Sequence, residues 1–149
     1  MPTYVVTVSE GRLTPAQKAD VAAAVTKSHA DATGAPAFFA QVLINEIRAG
    51  NWFLGGQPFS GEQIYVHGNI RSGRSVEIKA RLMTELCHSV AKASGFQDNQ
   101  TWVYISELPP EQMIEFGRVL PAHGKEAEWN AALPSDELKR LEAFTKPKR

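Results

Sequence analysis

The stretch Met1-Pro2-Thr3-Tyr4-Val5-Val6-Thr7-Val8 opens the chain and predicts its first β-strand. Tyr4, Val6 and Val8 recur at every second position, which is the pattern of a strand with one buried face. Because no flexible leader precedes this pattern, we expect Pro2 to stand at the end of a sheet.

Pro2 becomes the amino terminus when the initiator methionine is removed, which a small second residue favours. It then presents a secondary amine, and α-amino groups have a pKa of roughly 7.7 to 8.0 in model peptides. Such an amine can act as a general acid, a general base or a nucleophile. The alternative is an inactive, frayed terminus.

The composition favours a single domain over residues 1–149. This length and a hydrophobic content of 43% suit one domain with a core of its own. Sixteen basic and sixteen acidic residues cancel, so no net field attracts nucleic acid or an acidic membrane surface. The sequence has no apolar run of the ~18 residues that a membrane span needs and no secretory leader, which predicts a cytoplasmic protein.

Cysteine and histidine are sparse. Cys87 is the only cysteine, which excludes an internal disulfide and suits a reducing compartment. The histidines show no metal-ligand spacing, and we predict no metal. They are His29, His67, His88 and His123.

A helix and a second strand follow the first strand. Thr14 is a predicted helix cap, and the helix runs from Pro15 to about Ala32. Its buried stripe comprises Val21, Val25 and His29. Gly34 ends the helix. The apolar run from Phe39 to Ile47 predicts a strand covered on both faces, and residues 49–56 predict a loop that carries aromatic side chains.

Residues 64–108 repeat the plan of residues 2–47 at a constant offset of 61 positions. The pairs that match are Tyr4 with Tyr65, Thr14 with Ser75, Lys18 with Lys79, Gly34 with Gly95, Val42 with Val103, Ile44 with Ile105, and Glu46 with Glu107. A fixed offset through strand, cap, helix end and strand indicates a duplicated β-α-β unit. Right-handed crossovers then predict an α+β fold: a four-stranded mixed sheet with both helices on one face.

The second unit is predicted as a strand, a helix and a strand, spanning Ile64–Ile70, Ser75–Ser94 and Thr101–Leu108. The buried stripe of its helix comprises Ile78, Leu82, Leu86 and Val90. Cys87 lies at the edge of this stripe and is interpreted as a small core residue.

Residues 109–149 have no counterpart in the first unit and are predicted to form a carboxy-terminal arm. Residues 113–118 predict a short helix or turn that brings Glu115 near Arg118. A final helix begins at Ser135, and it packs on the body or on a neighbouring subunit. Its apolar face comprises Leu138, Leu141 and Phe144. We expect residues 146–149 to be solvated.

Two arginines, Arg71 and Arg74, crowd the predicted start of the second helix. A helix amino terminus carries partial positive charge and favours acidic side chains, so this arrangement calls for an anion. Two guanidinium groups and free backbone N–H groups suit a carboxylate or a phosphate. Without a glycine-rich phosphate loop, a small carboxylate is favoured over a nucleotide. The alternative is that both arginines point into solvent or pair with acidic side chains.

These features together resemble the tautomerase superfamily, and specifically its cis-3-chloroacrylic acid dehalogenase-like branch. The similarity runs from Pro2 to about Trp129. The stretches that carry it are Arg12-Leu13-Thr14-Pro15, Ala40-Gln41-Val42, Val66-His67-Gly68, Gly73-Arg74-Ser75, Trp102-Val103-Tyr104, and Glu115 with Gly117-Arg118. All six positions that the family uses are matched, by Pro2, His29, Arg71, Arg74, Tyr104 and Glu115.

The resemblance implies a trimeric enzyme that needs no cofactor and acts on small unsaturated carboxylates such as cis-3-chloroacrylate. In this scheme Arg71 and Arg74 bind the carboxylate, and Pro2 is the general acid. Glu115, together with Tyr104 and His29, activates a water molecule. If the arginines instead lower the pKa of the amine enough to make it neutral, Pro2 acts as a base, and the chemistry is the tautomerisation of enol or keto acids such as phenylenolpyruvate.

Alternatives stay open for single residues and for the whole chain. His29 can be a satisfied core residue, Tyr104 a strand residue that fills a cleft, and Glu115 a surface acid paired with Arg118. Phe116 stands where the dehalogenases carry tyrosine, and residues 35–39 also differ, so the native substrate stays open. The alternative of another class is a non-catalytic oligomeric binding module.

Overall fold

A computed structural model describes residues 2–143 of the chain. The strands are β1 (Thr3–Ser9), β2 (Gln41–Ile47), β3 (Phe53–Leu54), β4 (Gln57–Pro58), β5 (Ile64–Arg71), β6 (Thr101–Leu108), β7 (Ile114–Glu115) and β8 (Arg118–Val119). The helices are α1 (Pro15–Thr33), α2 (Val76–Ser94), α3 (Glu126–Ala131) and α4 (Ser135–Ala143). Short 3₁₀ turns occupy Ala37–Phe39, Asp98–Gln100 and Pro110–Gln112.

Four strands form a mixed sheet in the order β2-β1-β5-β6. β1 is parallel to β2, β5 is parallel to β6, and the central pair β1 and β5 is antiparallel. One long helix joins the strands of each parallel pair, as a β-α-β crossover requires. The sheet therefore has the predicted mixed topology.

Both long helices cover the same face of this sheet. Alternate residues of β1 and β5 pack with the apolar stripes of α1 and α2 in one core. Its largest fully buried members include Tyr4, Val6, Ile64, Ile70, Leu82 and Leu86. This arrangement confirms the predicted α+β fold.

The repeat of 61 positions is visible in the contacts of the two units. Thr14 and Ser75 accept backbone N–H bonds at the two helix starts, and both helices end at a left-handed glycine. The ion pairs Lys18–Glu46 (2.7 Å) and Lys79–Glu107 (2.6 Å) occupy equivalent places. Ser28 contacts its own counterpart Ser89, with 2.9 Å between the hydroxyl oxygens.

Two predictions for residues 39–58 need correction. The strand begins at Gln41 instead of Phe39, because Ala37–Phe39 forms a 3₁₀ turn after Pro36. It is also not covered on both faces: β2 is the edge strand, and its alternate side chains, including Leu43, are exposed in the single chain. The loop predicted over residues 49–56 contains β3, which pairs with β4 just after it in a hairpin.

The carboxy-terminal arm packs on the body of the molecule. A second core joins the arm to the 3₁₀ turn before β2 and comprises Phe39, Leu120, Trp129, Leu133 and Leu141, with Phe38, Met113 and Leu138 against it. The segment predicted as a short helix or turn is the β7–β8 hairpin, in which Glu115 and Arg118 are cross-strand partners. Phe144 and residues 146–149 lie outside the described residues.

Within residues 2–143, no helix has the length and apolar character required to cross a membrane. The same part of the chain holds no group of three or more His, Cys, Asp or Glu side chains arranged to bind a metal ion.

Candidate active site

A cavity of about 220 Å³ opens where the end of α1, the start of α2 and the carboxy-terminal arm meet near the first residue of β1. Four of the six predicted site residues line it, namely Pro2, His29, Arg71 and Arg74. Its remaining lining includes Thr33, Phe39, Leu120, His123, Glu126, Trp129 and Asn130. The cavity is of a size for a small ligand.

Pro2 is held at the floor of this cavity by the sheet. Its carbonyl accepts a hydrogen bond from the backbone N–H of Gln41 (3.0 Å), which extends the β1–β2 pairing by one residue. Pro2 is buried, and Tyr4 two residues later is fully buried in the core. The first residue after the initiator methionine is therefore part of the ordered sheet.

His29 lies on the inner side of α1, with only 2% of its surface exposed. Its Nδ1 lies 2.8 Å from the phenolic oxygen of Tyr4. Burial, the nearby charge of Arg74 and the charge of the amino terminus lower the pKa of His29 to about 3. The imidazole is therefore neutral at physiological pH.

Arg71 is held in one orientation by the carboxy-terminal arm. It is buried, its Nη1 donates to the carbonyl of Pro121 (2.7 Å), and its Nη2 forms an ion pair with Glu126. Burial opposes ionisation of Glu126, but hydrogen bonds to its carboxylate and the charges of Arg71 and His123 lower its pKa overall. The guanidinium of Arg71 is thus oriented before any ligand binds.

Arg74 lies three residues further along, in the loop just before Ser75, the cap of α2. Its Nη1 donates to the carbonyl of Arg71 (2.8 Å). Burial, and then the nearby positive charge of Arg71, lower the pKa of Arg74 below its ordinary value. An anion bound between them would relieve this repulsion.

Four buried side-chain polar atoms within residues 2–143 have no hydrogen-bond partner, and all four belong to residues that line the cavity. They are Nε2 of His29, Nε of Arg71, Nε of Arg74 and Oδ1 of Asn130. Buried polar groups are normally satisfied, so this concentration at one place marks a ligand site. The two guanidinium nitrogens are donors, which indicates an anionic group on the ligand.

Glu115 and Tyr104 do not line this cavity. Glu115 is half-buried in β7, and burial raises its pKa, whereas the positive charges of the amino terminus and Arg71 act in the opposite direction. Its carboxylate therefore interacts electrostatically with the amino terminus and with Arg71, a residue of the cavity. Tyr104 is 53% exposed on the sheet face opposite the helices, against Tyr65, with ring centroids 5.2 Å apart. In one chain it is separated from the cavity by the sheet.

The arm supplies residues that sequence reasoning missed. Glu126 orients Arg71, and His123, Trp129 and Asn130 form the outer wall. Arg118, the other candidate partner of Glu115, instead donates to the Trp129 carbonyl (3.1 Å). The sequence offered only one signal for Glu126, namely an acidic side chain in the carboxy-terminal arm. The arm has no counterpart in the repeat, so the repeat could not predict which residue this side chain would meet.

Comparisons with known proteins agree with this geometry. A family profile described as "Putative oxalocrotonate tautomerase enzyme" matches residues 1–133. The chain belongs to the tautomerase superfamily. Membership in this superfamily indicates an enzymatic activity. No curated protein sequence gave a match.

Solved structures place this superfamily member in the cis-3-chloroacrylic acid dehalogenase-like branch. It is similar to N1, a member of the cis-3-chloroacrylic acid dehalogenase family, with 35% identity and a TM-score of 0.90 over 95% of this chain and 99% of that chain. It is also similar to native Ps01740, with 26% identity and a TM-score of 0.71 over 76% and 99%. An asymmetric trimer of fused 4-OT gives 26% identity and a TM-score of 0.74 over 78% and 94%.

Proposed function

We propose that the chain is a cofactor-independent hydratase and hydrolytic dehalogenase of small unsaturated monocarboxylates such as cis-3-chloroacrylate. The observation that carries this proposal is the cavity in which Pro2 lies beside two arginines whose Nε atoms are buried without partners. The similarity to N1, from the cis-3-chloroacrylic acid dehalogenase family, supports the same substrate class.

The proposed reaction uses the charges of the two arginines, of Glu115 and of the Pro2 ammonium that removal of Met1 would create. Arg71 and Arg74 bind the carboxylate and draw electron density from the distal alkene carbon. Glu115 accepts a proton from water, whose oxygen bonds to that carbon, while the Pro2 ammonium delivers a proton to the carbon next to the carboxylate. The resulting halohydrin loses chloride and a proton and yields malonate semialdehyde, so all atoms balance without a redox partner.

Glu115 favours the protonated amine in this scheme. A carboxylate near an amino group raises the pKa of that group. The amino terminus that acts to lower the pKa of Glu115 is that of Met1, one residue before Pro2, and removal of Met1 would place this charge on Pro2. Each group therefore stabilises the charged form of the other. An ammonium donor and a carboxylate acceptor are the pair that addition of water requires.

A role for Tyr104 requires another subunit, because the sheet separates it from the cavity of its own chain. We propose a homotrimer that packs through this sheet face, where Trp102 is 41% and Leu43 is 47% exposed. The fused 4-OT relative is described as a trimer. Exposed apolar side chains on one face favour such an assembly, and Tyr104 of one subunit would then reach the cavity of the next.

The second candidate is a tautomerase of enol or keto acids, with Pro2 as the base. The matching family profile is described as an oxalocrotonate tautomerase. The four residues in the cavity of one chain, namely Pro2, His29, Arg71 and Arg74, are sufficient for proton transfer next to a bound carboxylate without a water-activating tyrosine. If the arginine charges outweigh Glu115, the amine is neutral and this chemistry is favoured.

Halide release from cis-3-chloroacrylate and from its trans isomer tests the proposal, with phenylenolpyruvate ketonisation measured alongside. We expect turnover of the cis isomer alone, and loss of this turnover in Pro2→Ala. The variant Cys87→Ser is the control, since the Cys87 thiol donates to the backbone carbonyls of Asp98 and Thr101 and does not line the cavity. Ketonisation without halide release favours the tautomerase. Neither activity, or a mature protein that retains Met1, favours a non-catalytic binding module.

A further inference from the structure

The phenol of Tyr4 is a buried polar group for which the proposed reaction has no role. It is fully buried, and its oxygen lies 2.8 Å from Nδ1 of His29. The two rings pack edge to face, with centroids 5.7 Å apart. Burial raises the pKa of Tyr4, with Arg74 acting in the opposite direction, so the phenol keeps its proton at neutral pH.

Proton counting decides the direction of this hydrogen bond. A neutral imidazole carries one N–H, and the phenol carries one O–H. If Nδ1–H donates to the phenol, then the phenol proton and the Nε2 lone pair are both left without a hydrogen-bond partner among the described residues. If the phenol donates to Nδ1, the single group left over is Nε2–H, on a residue that lines the cavity.

The second arrangement leaves fewer buried groups unsatisfied and is favoured, because each unsatisfied group costs roughly 1 to 3 kcal/mol. We propose that Tyr4 is a positioning residue that holds neutral His29 as its Nε2–H tautomer and so makes His29 a hydrogen-bond donor to the ligand. His29 is then not a base for water. That duty falls to Glu115 alone.

The neighbouring strand fixes the orientation of the Tyr4 ring that directs its hydroxyl toward His29. A Cβ atom at Gly68, on the neighbouring strand β5, would stand 2.4 Å from Cε1 and 2.8 Å from Cδ1 of the Tyr4 ring. Gly68 faces Tyr4 in the antiparallel register. The glycine therefore leaves room for the ring in the orientation that aims its hydroxyl at His29.

The inferred tautomer completes a set of donors at the cavity. Nε2–H of His29 joins Nε of Arg71 and Nε of Arg74, all without a partner in the described residues. A carboxylate has about four acceptor sites and can accept from such a set. This consequence for ligand binding rests on the proposed function, whereas the tautomer itself does not.

The tautomer is measured in the ligand-free protein by two-dimensional ¹H–¹⁵N spectra of ¹⁵N-histidine-labelled protein at pH 7. We expect a pyrrole-like shift for Nε2 of His29 and a pyridine-like shift for Nδ1. In Tyr4→Phe, where the donor is lost, the two shifts should move toward each other as both tautomers become populated. A protonated Nδ1 in the wild type, or an unchanged spectrum in Tyr4→Phe, overturns the proposal.

Ligand binding gives an independent readout with cis-3-chloroacrylate as the probe. We expect Tyr4→Phe to raise its dissociation constant by about fivefold. The control is Ser89→Ala, which removes the hydrogen bond to Ser28 next to His29 but does not touch the imidazole; it should leave the constant unchanged. An equal loss in both variants shows a merely structural effect and contradicts the proposal. If the wild type binds no chloroacrylate, the proposed function fails, and the ¹⁵N spectrum still decides the tautomer.

Discussion

At the scale of single residues, the neutral state of His29 ties stability to pH. Its pKa is about 3 in the folded chain, against about 6.5 in an unfolded chain. Between these values the unfolded state binds more protons, so the free energy of unfolding falls as the pH is lowered from about 6.5 toward 3. The slope approaches 1.4 kcal/mol per pH unit for one such proton.

Urea unfolding at pH 7, 6 and 5 measures this effect in the wild type and in His29→Gln. We expect the difference in unfolding free energy between the two proteins to shrink as the pH falls, because only the wild type must protonate this imidazole on unfolding. Contributions of Glu115 and Glu126 cancel in the difference. A difference that is constant with pH would show that His29 is not buried in a neutral state.

Arg74 contributes more than a positive charge. Its Nη1 is engaged by the carbonyl of Arg71, and its Nε is buried without a partner beside the cavity. Lysine keeps the charge but has neither the Nε–H nor the planar geometry. We expect Arg74→Lys to lower kcat/KM by roughly 10- to 100-fold, as for the loss of a hydrogen bond to a charged group.

The matched control for this experiment is Arg81→Lys in the same helix. Arg81 is exposed and pairs with Glu85 through its Nε at 2.7 Å, on the solvent side of α2. We expect Arg81→Lys to leave kcat/KM unchanged. Equal activity of Arg74→Lys and the wild type would mean that Arg74 acts through charge alone.

At the scale of elements, the β7–β8 hairpin carries backbone strain at its tip. Phe116 has φ of 52° and Gly117 has φ of 71°, the pair of positive values that a type I′ turn needs. Asparagine is favoured at the first of these positions, whereas a bulky side chain costs roughly 1 to 2 kcal/mol there. We expect Phe116→Asn to raise the free energy of unfolding by about 1 kcal/mol.

Phe53→Asn is the matched control, since Phe53 is an exposed phenylalanine in the β3–β4 hairpin with no positive φ. It should not stabilise the protein. Loss of stability in Phe116→Asn would show that packing of the Phe116 ring outweighs the strain of its backbone, and that the hairpin tip is part of an interface or wall.

The central strands are packed too closely for a side chain at Gly68. A Cβ there would meet Tyr4 at 2.4 Å and Ile105 at 2.9 Å. Overpacking of this kind costs roughly 1 to 3 kcal/mol. We therefore expect Gly68→Ala to lower the unfolding free energy by that amount in thermal or urea denaturation. An unchanged stability would mean that the sheet can shift to accept the methyl group.

Local signals in the sequence were sufficient for the main elements. Caps at Thr14 and Ser75, glycines after the helices and period-two strands gave the two β-α-β units within a few residues. The burial of β2 was predicted wrongly, because an apolar run carries no information about whether a strand lies at the centre or the edge of a sheet. The β7–β8 hairpin has strands of two residues, too short to show a period.

At the scale of the whole molecule, only one of the two repeat units carries each of the cavity residues Pro2, His29, Arg71 and Arg74. At the equivalent positions of the other repeat unit, 61 residues away, the sequence has different residues. Gln63 is equivalent to Pro2, Val90 to His29, Glu10 to Arg71, and Leu13 to Arg74. Residues with structural roles, such as the two Lys–Glu ion pairs, recur in both repeat units. The amine, imidazole and guanidinium groups of the cavity have no equivalent in the other unit. We expect one molecule of cis-3-chloroacrylate per chain in calorimetry. Two equivalent sites per chain would contradict this account of the repeat.

The proposed trimer is tested by light scattering on the eluted protein. We expect a mass three times the chain mass of 16.4 kDa. Trp102→Glu places a charge on the exposed sheet face and should yield smaller species that have lost activity, since Tyr104 could no longer reach a neighbouring cavity. A wild-type monomer, or a fully active monomeric variant, would contradict the assembly.

Of the six site residues predicted from the sequence, four line the cavity, and Tyr104 and Glu115 do not. Pro2, His29, Arg71 and Arg74 meet in one cavity because the sheet pairing and the two helix ends fix their places. The contributions of Glu126 and Asn130 could not be predicted, since they depend on how the arm folds back over the core. The position of Tyr104 follows from strand alternation, which places it on the sheet face opposite the helices.

The most direct test is the titration of the Pro2 amine, followed by ¹⁵N NMR in protein shown by intact mass to lack Met1. The Glu115 carboxylate interacts with the amino terminus that Met1 carries. We expect the same interaction with the Pro2 amine once Met1 is removed, and therefore a Pro2 pKa above 7 in the wild type. Glu115→Gln should lower it, since the negative charge that stabilises the ammonium is gone. A pKa below 7 that Glu115→Gln does not change would contradict the role of Pro2 as general acid and would favour the tautomerase.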